Sequence, residues 1–315
     1  AEIDGRTVTE ISDRAFKGAS WIETLELPAS LASIGESAFS GCTSLRSLSL
    51  PEGLASIGEY AFWRCSSLAS LNMCEGVRSL DDYAFSECGT LESVSLPGSL
   101  DYVGQYAFES CTSLKSLTIN EGITSLGTDA FRGCTALKEV SLPTTLLWIW
   151  DGCFWGCSAL ESVVLPEGLQ TLHSGAFLGC SSLKSVTLPA SLSSVGDRAL
   201  AELAPGGVVR VPTWDLFYLL DGNGHYISSD HTSVVYTGSD SEPEMSFLTS
   251  DNNDGTCTVI GVRGRAADLA IPSEIDGVKV IAIGSYAFKN ASWIETLELP
   301  ETLESIEDGA FEGCL

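Results

Sequence analysis

Cysteine is the residue type that offers this chain most chemistry, with 11 among 315 residues against three histidines, His173, His225 and His231. Eight thiols hold one place in a recurring pattern: Cys42, Cys65, Cys88, Cys111, Cys134, Cys157 and Cys180 at 23-residue intervals, then Cys314 after a break. Thiols can pair, ligate zinc or act as nucleophiles. No C-x-x-C spacing is present for zinc or redox work. Equivalent side chains in stacked repeats lie about 4.8 Å apart, whereas a disulfide needs Cβ atoms at roughly 3.8 Å. The period therefore predicts buried free thiols that pack as small hydrophobes. Cys74 and Cys153 read as local substitutions of a turn Pro and a column Ala.

The other ligand-type residues give less. His225 and His231, with Asp221 and Asp230, have the types of a metal set but read as polar residues of a capping loop. The Asp251–Gly255 stretch is rich in oxygens but lacks EF-hand spacing, and a hairpin turn accounts for it. Glu52, Glu75, Glu121 and Glu167 share a column beside the turns. Calcium bridging between neighbours is conceivable there, and solvated turns are the simpler account. There is no G-x-S-x-G, H-E-x-x-H, P-loop or complete G-x-G-x-x-G. The expectation is no enzyme, no cofactor and no metal.

The elements that carry the thiols are set by a second series. Phe16, Phe39, Phe62, Phe85, Phe108, Phe131, Phe154 and Phe177 recur every 23 residues, with Leu200 ninth. A fixed period of this length marks a solenoid, in which stacked units bury what one unit cannot. In residues 39–61, Leu45, Leu48 and Leu50 form L-x-x-L-x-L, a strand with one buried face. Pro51, Glu52 and Gly53 make a turn, Leu54 and Ile57 turn inward again, and Gly58 opens the bend to the next Ala-Phe.

The L-x-x-L-x-L-P block, the following L-x-x-I-G and the A-F-x-x-C close resemble the leucine-rich repeats of the BspA-like family of bacterial and protist surface proteins. The resemblance implies a leucine-rich-repeat solenoid of the α/β-horseshoe class, largely β. It would have a concave parallel sheet with short strands or turns on the opposite side. It also implies a secreted or cell-surface location and a role as an adhesion module.

The organisation expected is an array of about nine repeats over 1–240, with a C-terminal cap at 201–236. In that cap, residues 208–212 read as a strand and 214–220 as a short amphipathic helix. Residues 237–244 read as a linker, and 241–315 as a hairpin cap followed by the first two repeats of a second array. Residues 3–28 and 275–300 are close copies, IDGRTVTEISDRAFKGASWIETLELP against IDGVKVIAIGSYAFKNASWIETLELP. The array has thus been duplicated, and a longer natural protein with arrays in tandem is expected.

With 16 basic and 42 acidic residues the formal net charge is −26. That charge favours a soluble monomer and disfavours nucleic acid, which needs a basic face. No apolar run is long enough to insert into a membrane. The partner expected is an extracellular protein or glycan.

Sites on a solenoid are sought where the consensus breaks. The outward strand positions are mostly Ser or Thr, a small-hydroxyl face that cross-strand packing explains. The aromatics break the pattern more sharply. The column of Ser33, Ser56 and Ser79 becomes Tyr102 and then Trp148; that of Gly35, Gly58 and Gly104 becomes Trp150 and His173; and that of Ser40 and Ser86 holds Trp63 and Trp155. Trp148, Trp150, Trp155, Tyr102 and His173 are therefore the candidate ligand-binding residues, with local packing the alternative. Tyr60, Tyr83 and Tyr106 read as a structural stack. The leading function is non-catalytic binding, and the alternative is a structural stalk or spacer within a larger wall-attached protein.

Overall fold

The computed structural model describes residues 2–3, 6–220, 233–239, 245–289, 291 and 293–314. His225, His231, Asp221 and Asp230 lie outside these residues, as does the 240–244 part of the expected linker. The chain forms two compact units that divide between residues 209 and 210.

The first unit is a parallel β-solenoid. One ladder is built from the L-x-L strands: Ser47–Ser49 pairs Ser70–Asn72, and farther on Ser93–Leu96, Ser116–Ile119, Glu139–Ser141 and Ser162–Val163 pair in register. Leu48 and Leu117 are buried while Ser47, Ser49, Ser116 and Thr118 face outward. A second ladder of two-residue strands follows the turn. It runs Glu10–Ile11, Ser33–Ile34, Ser56–Ile57 and Ser79–Leu80, then Ser125–Leu126, Trp148–Ile149, Thr171–Leu172 and Ser194–Val195. Between the two runs Val103 bridges Leu126, and the next residue, Gly104, donates its N–H to the Leu80 carbonyl at 3.0 Å.

Between the ladders each rung stacks on a copy of itself. The Phe rings from Phe16 to Phe177 lie 5.0–5.5 Å apart and within 1–10° of parallel. Phe39 to Phe177 are fully buried. Each such ring contributes about 1.5–3 kcal/mol by leaving water. The bend before each Phe needs a left-handed residue, and Tyr60, Tyr83, Tyr106 and Asp129 all take φ between 53° and 57° there. Gly152 and Gly175 hold the same place without strain.

The thiols do more than fill space. All cysteines are free, and the seven column thiols from Cys42 to Cys180, spaced 23 residues apart, are buried. Each of these, and Cys314, donates its S–H to the carbonyl of the Phe one rung back: Cys65 to Phe39, Cys111 to Phe85 and Cys157 to Phe131, at 3.3–3.4 Å. That carbonyl also accepts the N–H of the Cys in its own rung, as Phe39 does from Cys42. The column thus satisfies a second lone pair of a buried backbone group.

The strand Val208–Val211 spans the division and leads to helix α1 (Trp214–Leu220) of the second unit, with Thr213 Oγ1 accepting from the Leu216 N–H at its start. Asp215 pairs with Arg263 at 2.8 Å. The hairpin forms as expected, Ser246–Asp251 running antiparallel to Thr256–Arg263. Its second strand pairs Val278–Ile283, which in turn pairs Ser305–Ile306. Asp268–Ala270 pairs in parallel with Thr296–Glu298. These strands act as a lid: Phe288 beneath them is 2% exposed, whereas its copy Phe16 in the first unit is 39% exposed.

Burial raises the column thiols, with Cys65, Cys111 and Cys157 pushed up to about 12 and Cys88, Cys134 and Cys180 well above the usual range. A thiol that titrates higher in the folded chain than in the unfolded one is held neutral by the fold. Its contribution to stability is whole below the unfolded thiol range, near 8.5, and is lost as pH rises towards the folded value. Stability should fall above about pH 9 by up to ~1.4 kcal/mol per pH unit for each thiol. Urea midpoints between about pH 7 and about pH 11 measure this, and Cys111→Ala should flatten the decline by one thiol's share. An unchanged slope in that variant would contradict the assignment.

Candidate functional site

The aromatic substitutions concentrate on the second ladder, because its outward positions flank a single buried residue per rung. Ile149 points inward, so Trp148 and Trp150, on either side of it, both face out. Register places Trp148 beside Ser125 on one side and Thr171 on the other. Tyr102 precedes Val103, which bridges Leu126, so it lies in the same column two rungs before Trp148 with Ser125 between.

Trp150 is held on two sides. Its Nε1 donates to Ser125 Oγ at 2.8 Å. Its ring lies on His173, with centroids 4.2 Å apart and planes within 13°. Trp155 belongs to a separate cluster in the turn after Phe154, where the Arg132 guanidinium sits 4.1 Å over its ring. Among the described residues no ring stacking joins Trp155 to Trp148 or Trp150. The candidate set thus divides into a strand group of Tyr102, Trp148, Trp150 and His173, with Trp155 apart. Trp63 repeats the arrangement of Trp155: Arg64 covers its ring at 4.1 Å and Glu87 accepts its Nε1 at 3.2 Å. Trp148 and Tyr102 differ from these. Among the described residues, neither ring stacks on another or has a cation over it, and Tyr102 is 45% exposed.

Beside this group lies an acidic feature that sequence reading missed. The tyrosine stack Tyr60–Tyr83–Tyr106, with centroids 4.6–4.7 Å apart, ends on Asp129 in the same column. The neighbouring Asp129 carboxylate raises the Tyr106 phenol above its ordinary range. Asp129 is buried, with Oδ2 at 3.8 Å from Arg132 and Oδ1 without a hydrogen-bond partner among the described residues. Oδ1 lies against the α-carbon face of Gly152. Burial also raises the nearby Glu109 carboxyl. Reading the columns at a step of 23 rather than each repeat by itself reveals Arg132 under Trp155 and Asp129 after Tyr106.

Elsewhere the turn carboxylates serve the chain itself. Glu121 accepts from the Thr144 N–H and hydroxyl, both at 2.9 Å, and these bonds lower its carboxyl. Among the described residues no group of three His, Cys, Asp or Glu is arranged to hold a metal. No described helix is long and apolar enough to cross a membrane.

Comparison with known proteins agrees with this architecture. The family described as BspA type Leucine rich repeat region matches residues 9–137, 101–204 and 271–315, well over half of the chain. No curated protein matches. Among solved structures, a leucine-rich repeat protein from Bacteroides ovatus is 24% identical with a TM-score of 0.55, covering 93% of this chain and 85% of its own, and shows the fold. A T. pallidum leucine rich repeat protein is 36% identical with a TM-score of 0.46, over 50% of this chain and 74% of its own. A leucine rich cell surface protein from Faecalibacterium prausnitzii is 18% identical with a TM-score of 0.37, over 74% and 84% of the two chains.

A methyl group at residue 152 would run into Asp129 Oδ1, and φ is +59° there. Gly152→Ala should therefore destabilise the first unit by about 1–3 kcal/mol. Gly18→Ala also sits at a positive φ but meets nothing within 4 Å, so it should cost less. Thermal unfolding of the two variants side by side tests this, and equal losses would show that the carboxylate contact is immaterial.

Proposed function

The chain belongs to the BspA type leucine-rich repeat family, and we propose that it is a non-catalytic binding module of a secreted or cell-surface protein, with an extracellular protein or glycan as partner. The observation that carries this is the pair Tyr102 and Trp148. These large rings replace serine in a column where the core is complete without them; Tyr102 is exposed and Trp148 half-buried, and among the described residues neither stacks on another ring or lies under a cation. A side chain retained only for packing has partners, as Trp63 and Trp155 do with Arg64 and Arg132. A partly exposed ring without one is what a recognition surface supplies. Family membership supports the surface location, and the charge of −26 supports a partner other than nucleic acid.

Purified chain should be screened against arrays of matrix proteins, mucins and glycans, beside a Trp148/Trp150/Trp155→Ala variant whose thermal unfolding is checked. The expected result is a ligand bound by the native chain and at least tenfold more weakly by the variant. Retention in the folded variant would remove the site from these residues. Absence of any ligand would favour the stalk, in which the aromatic columns could be replaced without consequence.

A further inference from the structure

The spacing and surroundings of the exposed Tyr102 and the half-buried Trp148 restrict what they fit. Tyr102 and Trp148 stand two rungs apart in one column, about 9.6 Å at the spacing of parallel strands. An extended β-1,4-linked pyranose chain repeats every second sugar over nearly this length, and presents the same face of alternate sugars to one side. A pyranose face carries aligned C–H groups, the complement of an aromatic ring face.

Charge narrows the class further. Along the second ladder itself, residues 100–105, 123–128, 146–151 and 169–174 carry no Lys or Arg; Lys115, Arg132 and Lys138 of the same rungs lie outside these strand segments. Asp101 adjoins Tyr102, and Asp151 follows Trp150 with its Oδ1 accepting from the Ser174 N–H at 3.1 Å. Elsewhere the column of Asp151 holds Glu36, Glu59 and Asp82, but beside the rings it holds Gln105 and Thr128. Such a strip repels a polyanion and offers amide, hydroxyl and carboxylate partners to neutral sugar hydroxyls. Trp150, fixed by Ser125 and His173, forms a rigid border that loses little entropy on binding.

We infer that the strip from Tyr102 to Trp148 binds an extended, neutral, β-linked polysaccharide laid along the array axis, with alternate sugars on the two rings. This rests on the binding function proposed above.

Affinity gel electrophoresis with hydroxyethyl cellulose, amylose and hyaluronan tests it. Hydroxyethyl cellulose should retard the native chain, while coiled amylose and anionic hyaluronan should not. Trp148→Ser and Tyr102→Ser restore the residue that this column holds on other rungs, so the fold is kept, and each should weaken retardation at least tenfold. Moving one ring by combining Tyr102→Ser with Ser79→Tyr sets the pair three rungs apart and should bind no better than Tyr102→Ser alone. Equal binding by the single variants, full binding by the shifted pair, preference for amylose or hyaluronan, or no retardation at all would each overturn the inference. If a protein ligand from the array screen is lost in Trp148→Ser while hydroxyethyl cellulose is ignored, the polysaccharide assignment fails and the binding function stands.

Discussion

Most buried side chains in the array have a residue of the same or similar type as neighbour one rung away, as the phenylalanine and cysteine columns do. This self-stacking governs which residue types the interior can hold. Flat rings tolerate it, and the phenylalanines lie nearly parallel at 5.0–5.5 Å. Aliphatic side chains tolerate it without a directional demand. Thiols tolerate it because each S–H points to a backbone carbonyl one rung back rather than to the next sulfur. Charges do not. They are moved to the turns and offset by one rung, as where Arg64 meets Glu87 and Lys115 meets Glu92. These exposed pairs stabilise little, typically up to about 1 kcal/mol, but they relieve like-on-like repulsion along a chain with far more acid than base.

The same rule explains why the candidate site stands out. Deviations inside the array require compensation from adjacent rungs. Trp150 takes its compensation from Ser125 and His173, and Trp155 takes it from Arg132. Where the tyrosine stack stops at Asp129, the next position is Gly152, and only a residue without a side chain leaves room for the carboxylate. Tyr102 and Trp148 depart from the serine of their column, and among the described residues neither ring stacks on another or lies under a cation.

Much of this was legible in the sequence. The phenylalanine period gave the solenoid, the L-x-L strands, the buried unpaired thiols and the tyrosine stack, because a translational repeat turns sequence position directly into spatial position. The hairpin at 246–263 and helix at 214–220 followed from turn residues and amphipathic spacing. What escaped was lateral. The thiol-to-carbonyl bonds depend on rotamer and backbone direction, which composition does not encode. Grouping Trp155 with Trp148 and Trp150 followed their closeness in sequence, but a turn intervenes, and the true neighbour of Trp155 is Arg132, 23 residues earlier. The left-handed column was also hidden, since Tyr, Ser, Asp and Arg occupy it as well as Gly.

The hydrogen bonds that run from each column Phe amide to the carbonyl of the residue before the next Phe, Ala on most rungs and Cys153 on one, connect equivalent positions only. The interface between any two rungs is therefore nearly interchangeable with that between any other two. A gain or loss of 23 codons by recombination would leave every junction already solved, so copy number can drift under selection while geometry is conserved. The ring spacing on the Tyr102–Trp148 strip is the exception. It is tied to a particular count of intervening rungs, and such a drift would change the span between the two rings on which the proposed polysaccharide site depends.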